Sequence, residues 1–257
     1  MTTKTLLSRI YKPSHMNYIE KRLEHLLEGL DVQLKILGVV ADRWVQLDIS
    51  GEDEAVALNL VSKEYGFCPV SFANLKKYET LNGYVANFEK SDEELTVDVG
   101  IFEPQTICAN VSLQSLQAQL ADGRKLSLEE ISELFGFCEN LPISVKVRRP
   151  SGNEKSIEAE LAWGQVEKYR FWRESLLDRL IVIGATHNEV KRSVDFAQLT
   201  RDVLRVESLG TFEHVLACKL GTDAAGIVSK VGRNLRNARL AVFNPRKINN
   251  IIEQHQS

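Results

Sequence analysis

Long apolar runs are absent from this chain. The longest, such as Leu180 to Ile183, fall far short of the roughly 20 residues a membrane helix requires. Lys4 and Arg9 surround only a very short apolar patch, so the first residues do not read as a secretion signal. A soluble cytoplasmic protein with no membrane partner is the expectation. Cysteine is scarce and scattered. Cys68, Cys108, Cys138 and Cys218 lack any neighbour at zinc or redox spacing, and three stand in apolar company (GFCPV, GFCEN, LACKL). They are expected as reduced, buried thiols. Phosphate-loop glycines are missing too. The best strand-to-helix junction, GATHNEVK, has neither the second glycine nor the closing Lys-Ser/Thr pair, and there is no GxGxxG. His187, which lies in it, reads as an ordinary first-turn residue. No metal and no cofactor are expected. Glu207, His214 and Asp98 are the candidate acid/base groups. Glu207 and His214 would sit on the two arms of one hairpin, but no nucleophile accompanies them and such pairs are more often structural.

What is present is an ordinary globular composition with an unusual distribution of charge. The 257 residues suffice for two or three domains, and 44% hydrophobic with 26% charged residues is typical of a packed protein. The net charge is −3. Residues 1–80 and 146–218 are nearly balanced. Residues 81–145 hold Lys90, Arg124 and Lys125 against 11 acids, a net −8, while residues 219–257 hold seven basic residues against two acids. A polyanion is expected to meet the end of the chain and avoid its middle.

The basic end is densest over Leu216 to Lys247, LACKLGTDAAGIVSKVGRNLRNARLAVFNPRK. From Lys219 onward its cations are Lys219, Lys230, Arg233, Arg236, Arg239, Arg246 and Lys247, with Asp223 the only acid, a net +6. Ala224, Ile227, Val228, Val231 and Leu235 recur at three and four residues and predict a helix. Thr222 or Asp223 would cap it. Lys230 and Arg233 fall on the opposite side. Such a helix is as readily a surface helix with a solvated basic face as a phosphate-binding one.

Taken in order, Lys4 to Tyr11 reads as a strand and Ser14 as the cap of a helix striped by Met16, Ile19, Leu23, Leu26, Leu27 and Leu30. Val32 to Ile36 and Val45 to Ile49 make a hairpin. A helix capped at Ser50 runs to Gly66, and Pro69 to Phe72 supplies a last strand. This order is that of a ferredoxin-like, split βαβ unit. Gly83 to Phe88, Glu94 to Gly100, Thr106 to Val111 and Pro142 to Arg148 are short strands, with a helix Leu128 to Phe135 opened by the capping box Ser127–Glu130 and ended by Gly136. They suggest a small barrel of the oligonucleotide-binding (OB) type. From 150 on, Ile157 to Ala162 is a strand. The helix that follows interleaves Trp163, Tyr169, Phe171 and Trp172 with Lys168, Arg170 and Arg173, a pattern that fits base stacking but more often marks aromatics in a core. Leu180 to Gly184, a helix capped by Thr186–Glu189, the hairpin Leu204–Glu207 with His214–Lys219, the basic helix and Arg239–Phe243 complete a second ferredoxin-like order. In most such units one sheet face stays open to a partner.

The expected fold is therefore α+β, with two ferredoxin-like (split βαβ) units flanking a small OB/S1-like β-barrel. The expected segments are 1–77, 78–149 and 150–257.

Two stretches, QAQLADGRKLSLEEISELFGFCENLPISVKV at 117–147 and VESLGTFEHVLACKLGTDAAGIVSKVGRNL at 206–235, followed by AVFNPRK, resemble an archaeal family known as domain of unknown function twenty-one ten. LNGYVANFEKSDEELTVDVG is similar to the opening hairpin of an S1-type RNA-binding barrel. The family resemblance implies an archaeal cytoplasmic protein with a place in information processing, and brings no catalytic residues. The expected function is a non-enzymatic nucleic-acid-binding accessory protein, with RNA favoured and contacts at Lys219, Lys230, Arg233, Arg236, Arg239, Arg246 and Lys247. The alternatives are an adaptor whose acidic central domain docks proteins in a transcription or translation complex and, last, an enzyme.

Overall fold

Alternating apolar residues at Val45, Leu47 and Ile49, all buried, make a strand with one face in a core. The computed structural model, which describes residues 2–41, 43–87, 92–150 and 156–253, sets it in the smaller of two compact units, residues 1–74 with 100–106. There β1 (Thr2–Arg9), α1 (Ser14–Leu26), β2 (Val32–Val40), β3 (Trp44–Gly51), α2 (Glu54–Tyr65) and β4 (Val70–Ser71) follow in turn. The sheet is antiparallel in the order β1-β3-β2, with Thr2 opposite Ile49 and Leu34 opposite Ile49 on the other side. Ile19 and Leu23 of α1 and Ala57, Val61 and Tyr65 of α2 are buried. The expected caps are not used. Ser14 is the first helical residue behind Pro13, which makes no side-chain cap bond. Ser50 lies within β3, and Asp53 precedes α2 with its carboxylate accepting from the Asp31 amide at 2.9 Å.

The last strand of this unit also differs from the expected Pro69 to Phe72. It is residues 66–68 that lie against β1, with Leu6 opposite Phe67 and the Cys68 amide donating to Thr5 at 2.9 Å. The pair Val70–Ser71 runs parallel to residues 101–103 instead. Pro69 has no amide to donate, which ends the pairing with β1.

The larger unit, residues 75–99 with 107–257, begins with a closed five-stranded barrel. Its elements are β5 (Thr80–Val85), β6 (Glu94–Glu103), β7 (Ile107–Ser112), α3 (Leu113–Leu120), α4 (Leu128–Phe135), β8 (Pro142–Pro150) and β9 (Ile157–Leu161). The turn expected after Gly83–Phe88 falls largely on residues 88–91, outside the described residues. Around the barrel the order is β5, β6, β7, β9, β8 and back to β5, with β7 and β9 parallel and the pairs β5–β6, β5–β8 and β8–β9 antiparallel. Inward positions recur every second residue: Leu95, Val97 and Val99; Ile143, Val145 and Val147; Ile157, Ala159 and Leu161, all buried. Residues 157–161, expected to open the third segment, are the barrel's fifth strand.

The chain continues through α5 (Trp163–Glu174), β10 (Arg179–Ile183), α6 (His187–Phe196), β11 (Val203–Ser208), β12 (Glu213–Cys218), α7 (Ala224–Gly232), β13 (Arg239–Phe243) and α8 (Pro245–Glu253). The four strands form an antiparallel sheet in the order β11-β12-β10-β13. One face packs on α6 and α7 through Leu180, Val182, Val190, Val194, Ile227 and Val231. Ser193 of α6 donates to the Val231 carbonyl at 2.9 Å and ties the two helices together.

The other face is not open. Phe243 packs against Phe135, Tyr169 and Trp172 with ring centroids 6.0, 6.1 and 5.3 Å away. Gly136 ends α4 at φ 70, and a Cβ there would stand 2.8 Å from Ile181 Cδ1. The expectation of a free sheet face is thus corrected: α4 and α5 occupy it. Of the interleaved aromatics, Tyr169 and Trp172 are buried in this packing, while Trp163 and Phe171 face outward. Because Phe243 serves both the sheet and the aromatic layer, Phe243→Ala is expected to cost about 3–5 kcal/mol of stability. A lowered urea midpoint, read by circular dichroism, checks it.

Candidate nucleic-acid interface

The seven cations singled out in the sequence are all exposed, but the sheet sends them to two places. β10 pairs Arg179 with Phe243 and Ala217, and Ile183 with Arg239 and Glu213. The start of β10 therefore lies beside the ends of β12 and β13, and its end lies beside their starts. Lys219, one residue after β12, and Arg246 and Lys247, in the first turn of α8, belong to one rim. Lys230 and Arg233 at the end of α7, Arg236 in the turn after it, and Arg239 at the start of β13 belong to the other. Five strand residues separate the rims by about 13 Å.

The two rims differ in their carboxylates. At the first, Lys247 Nζ lies 3.7 Å from Glu133, and the Lys219 amide donates to the Asp202 carbonyl at 2.7 Å. Asp178 accepts from the Ala224 amide at 3.1 Å and from Asn244 at 3.3 Å. Burial raises the Asp178 pKa, against the Ala224 hydrogen bond and the charge of Arg246. The buried Cys218 thiol is pushed up to about 11, by burial first and then by the charges of Asp178, Asp223 and Asp202, with Arg179 opposing. Three cations here stand among four acids. At the second rim, no carboxylate of the described residues is within ion-pair distance of Lys230, Arg233, Arg236 or Arg239. Its geometry follows from α7. Asp223 caps the helix by accepting from the Ala225 amide at 3.0 Å, Ile227 and Val231 are buried, and Lys230 and Arg233 are left outward.

The sequence reading overlooked a further cationic place on the barrel. Residues 76–78 (Lys-Lys-Tyr) lie beside the end of β8, and Lys77, Tyr78, Arg148, Arg149, Glu158 and Glu160 line an open groove of about 440 Å3. Lys77 and Lys146 stand over the Tyr78 ring, 4.7 and 5.3 Å from its centroid. The block counted as −8, residues 81–145, begins four positions after Lys77 and ends one before Lys146, so it leaves both cations out. The signal was there in KKY and KVRR, about 70 positions apart, and only the pairing of β5 with β8 joins them.

The candidate acid/base groups do not assemble. Ser208 stands opposite His214 across the hairpin and Glu207 opposite Val215. Glu207 is ion-paired with Arg205, and Asp98 is on the barrel opposite Tyr84. Buried His214 instead meets His187, ring centroids 5.4 Å apart, with Ser208 Oγ 3.4 Å from its Nδ1. Burial holds the His214 pKa down to about 4, helped by the neighbouring His187 and opposed by the Ala185 backbone. His187 is also lowered, by burial and then by Lys191. No group of three His, Cys, Asp or Glu among the described residues is placed to hold a metal ion, and no helix among them is long and apolar enough to cross a membrane.

An unfolded histidine takes its proton near pH 6.5, and His214 in the fold resists until about pH 4. The unfolded chain therefore binds more protons in that window, and stability falls as pH drops through it, by about 3 kcal/mol. Urea midpoints between these pH values are expected to fall less steeply in His214→Gln than in the native protein.

Three family models match the chain: the DUF2110 N-terminal domain over residues 4–70, the DUF2110 central domain over 75–173 and the DUF2110 C-terminal domain over 177–243. No curated protein matches it in sequence. Among solved structures, a chain of the a/eIF2alpha-aDim2p-rRNA complex from Pyrococcus horikoshii OT3 is 11% identical at a TM-score of 0.26, over 49% of this chain and 60% of that one. The intact alpha subunit of aIF2 from Pyrococcus abyssi is 9% identical at 0.24, over 66% and 97%. Scores this low carry no inference about this chain.

Proposed function

The chain belongs to the DUF2110 family, and on that premise we propose that it is a non-enzymatic nucleic-acid-binding protein of archaeal information processing, with RNA as its partner. The observation that carries this reading is the second rim. Lys230, Arg233, Arg236 and Arg239 are exposed, gathered at one end of α7 and β13, and free of carboxylates among the described residues. Cations without internal partners are available to displace counterions from phosphates, which is where most nucleic-acid affinity comes from. Lys219, Arg246 and Lys247 sit among acids and take a lesser part.

The architecture adds a supporting analogy. The larger unit ends in the order β-α-β-β-α-β with its strands arranged second-third-first-fourth, which we read as ferredoxin-like, and the residues 66–68 beside β1 give the smaller unit the same plan. The barrel, in the order first-second-third-fifth-fourth with one parallel pair, we read as OB-type. Both plans recur in proteins that bind single-stranded RNA. Fold likeness of this kind raises the expectation of RNA without locating a site.

Fluorescence anisotropy with a labelled single-stranded RNA, repeated from about 50 to 200 mM salt, tests the proposal. If the four rim cations meet four phosphates, log K falls against log salt with a slope near −3, and Arg233→Gln with Arg236→Gln lowers the slope by about 0.7 for each contact removed. No binding at low salt, or binding indifferent to salt, overturns it. A protein partner retained after nuclease treatment, with no RNA affinity, would favour the adaptor reading instead.

A further inference from the structure

The groove on the barrel is built differently from the rim. Tyr78 is 61% exposed, yet its backbone is fixed. Its amide donates to Val147 at 2.8 Å, the Val147 amide donates to Glu79 at 2.9 Å, and the Glu79 amide donates to Lys76 at 3.2 Å. These bonds hold Tyr78 at φ 68, a left-handed conformation that a bulky residue adopts only at a cost and that recurs at ligand-gripping positions. A large aromatic ring is thus held out from the barrel on strained, strand-anchored backbone.

The charges around it converge on the ring. Lys77 hydrogen-bonds the Tyr78 hydroxyl, and the charges of Lys77, Lys146 and Arg148 also act on it, so its pKa lies below that of an ordinary tyrosine. Arg148 is committed to Glu160, with contacts of 2.7 and 2.6 Å. Arg149 stands opposite Glu158 across the β8–β9 ladder without an ion pair among the described residues. Lys77, Arg148 and Arg149 line the groove with Glu158 and Glu160, and Lys146 stands over the Tyr78 ring, a local net of +2 on an otherwise acidic barrel. The groove, at about 440 Å3, is within the roughly 300–1,000 Å3 of clefts that take small ligands or single groups.

We propose that this groove is a second nucleic-acid subsite, in which the Tyr78 ring stacks on one unpaired base of a single strand while Lys77, Lys146 and Arg149 hold the adjacent phosphates. A ring flanked by cations matches the two parts of a nucleotide, a flat π-face and an anion. The lysines over the ring, Lys77 exposed and Lys146 half-buried, are cation–π partners at the surface, whose attraction is weak enough for a base to replace them. A paired base, stacked inside a duplex, has no face to offer, so the subsite selects single strands. This subsite adds to the reading of the rim as an RNA surface, and the two can fail separately.

The test measures anisotropy of a labelled single-stranded RNA, the matching duplex and a base-free polyanion, inorganic polyphosphate, with the native 257-residue chain and three variants. Tyr78→Ala is expected to weaken single-strand binding about tenfold or more and to leave polyphosphate and duplex binding unchanged. Tyr78→Trp, which keeps a stacking face, is expected to bind the single strand like the native protein, and its emission is expected to be quenched on binding. Lys146→Gln with Arg149→Gln is expected to lower the single-strand salt slope. Single-strand affinity unchanged in Tyr78→Ala overturns the subsite while leaving the rim reading intact. An equal loss toward polyphosphate also overturns it, because the ring would then serve anions in general. No affinity for any RNA in the native protein overturns both.

Discussion

Phe135 and Phe137, from the end of α4 and the turn beyond it, meet Tyr169 and Trp172 of α5 and Phe243 of β13 with neighbouring ring centroids 5.3–6.3 Å apart. Most pairs are edge-to-face, the arrangement favoured by ring quadrupoles, and each such ring buries about 150–250 Å2. Arg179 locks one side of the cluster. Its guanidinium lies 5.0 Å from the Trp172 ring and donates to the Trp172 and Leu177 carbonyls and to Ser175 Oγ. Burial lowers its pKa to about 10, so it remains charged at neutral pH while satisfying the carbonyls at the end of α5. The barrel and the following sheet in this unit are thus joined through packed rings, and what this packing covers is no longer available to a ligand. On the proposed reading, contacts with a ligand are left to the rims of the sheet and the outer wall of the barrel.

Local structure was largely legible because it follows from spacing and caps. The capping boxes Ser127–Glu130 and Thr186–Glu189 form as read, with each serine or threonine accepting from the third residue on and each glutamate reaching back. The strand pattern of the second sheet was also plain in its alternation and turn residues. Two helices were not read. α8 starts at Pro245, and proline is well suited to the first helical position. Its buried Ile248 and Ile252 are four residues apart, a signal visible in the sequence. α3 carries Leu116 and Leu120 at the same spacing behind a Ser112 cap. Its side chains are anchored by a distant partner, since Gln119 exchanges two 3.0 Å hydrogen bonds with Leu161. That anchor has no local trace.

What could not be read was pairing across distance. Residues 157–161 alternate as a strand should, but nothing within them says that their neighbours are β8 and β7. The same limit governs charge. Seven cations over 29 consecutive residues make a strong linear signal, and the strand-helix-strand path of that segment carries them from one rim of the sheet to the other and back. Conversely, Lys77 and Lys146 are far apart in sequence and face one ring in the fold. A charge count along the chain measures local composition, whereas a polyanion meets the surface, and the two agree only where the segment stays on one side.

The two cationic places differ in the physics they bring. The rim cations sit on long side chains at exposed positions, where attraction to phosphate is long-ranged, screened by salt and indifferent to sequence. Tyr78 is held by backbone bonds to β8, so little conformational freedom remains to be lost when a base meets it, and stacking acts only at contact. On the proposed reading, the first supplies affinity and the second discrimination between an unpaired strand and a duplex. The acids that dominate the rest of the barrel then have a role of their own. On the same reading, a net charge of −3 disfavours a polyanion along the acidic surface, so attachment concentrates where cations outnumber carboxylates and nonspecific attachment elsewhere is suppressed.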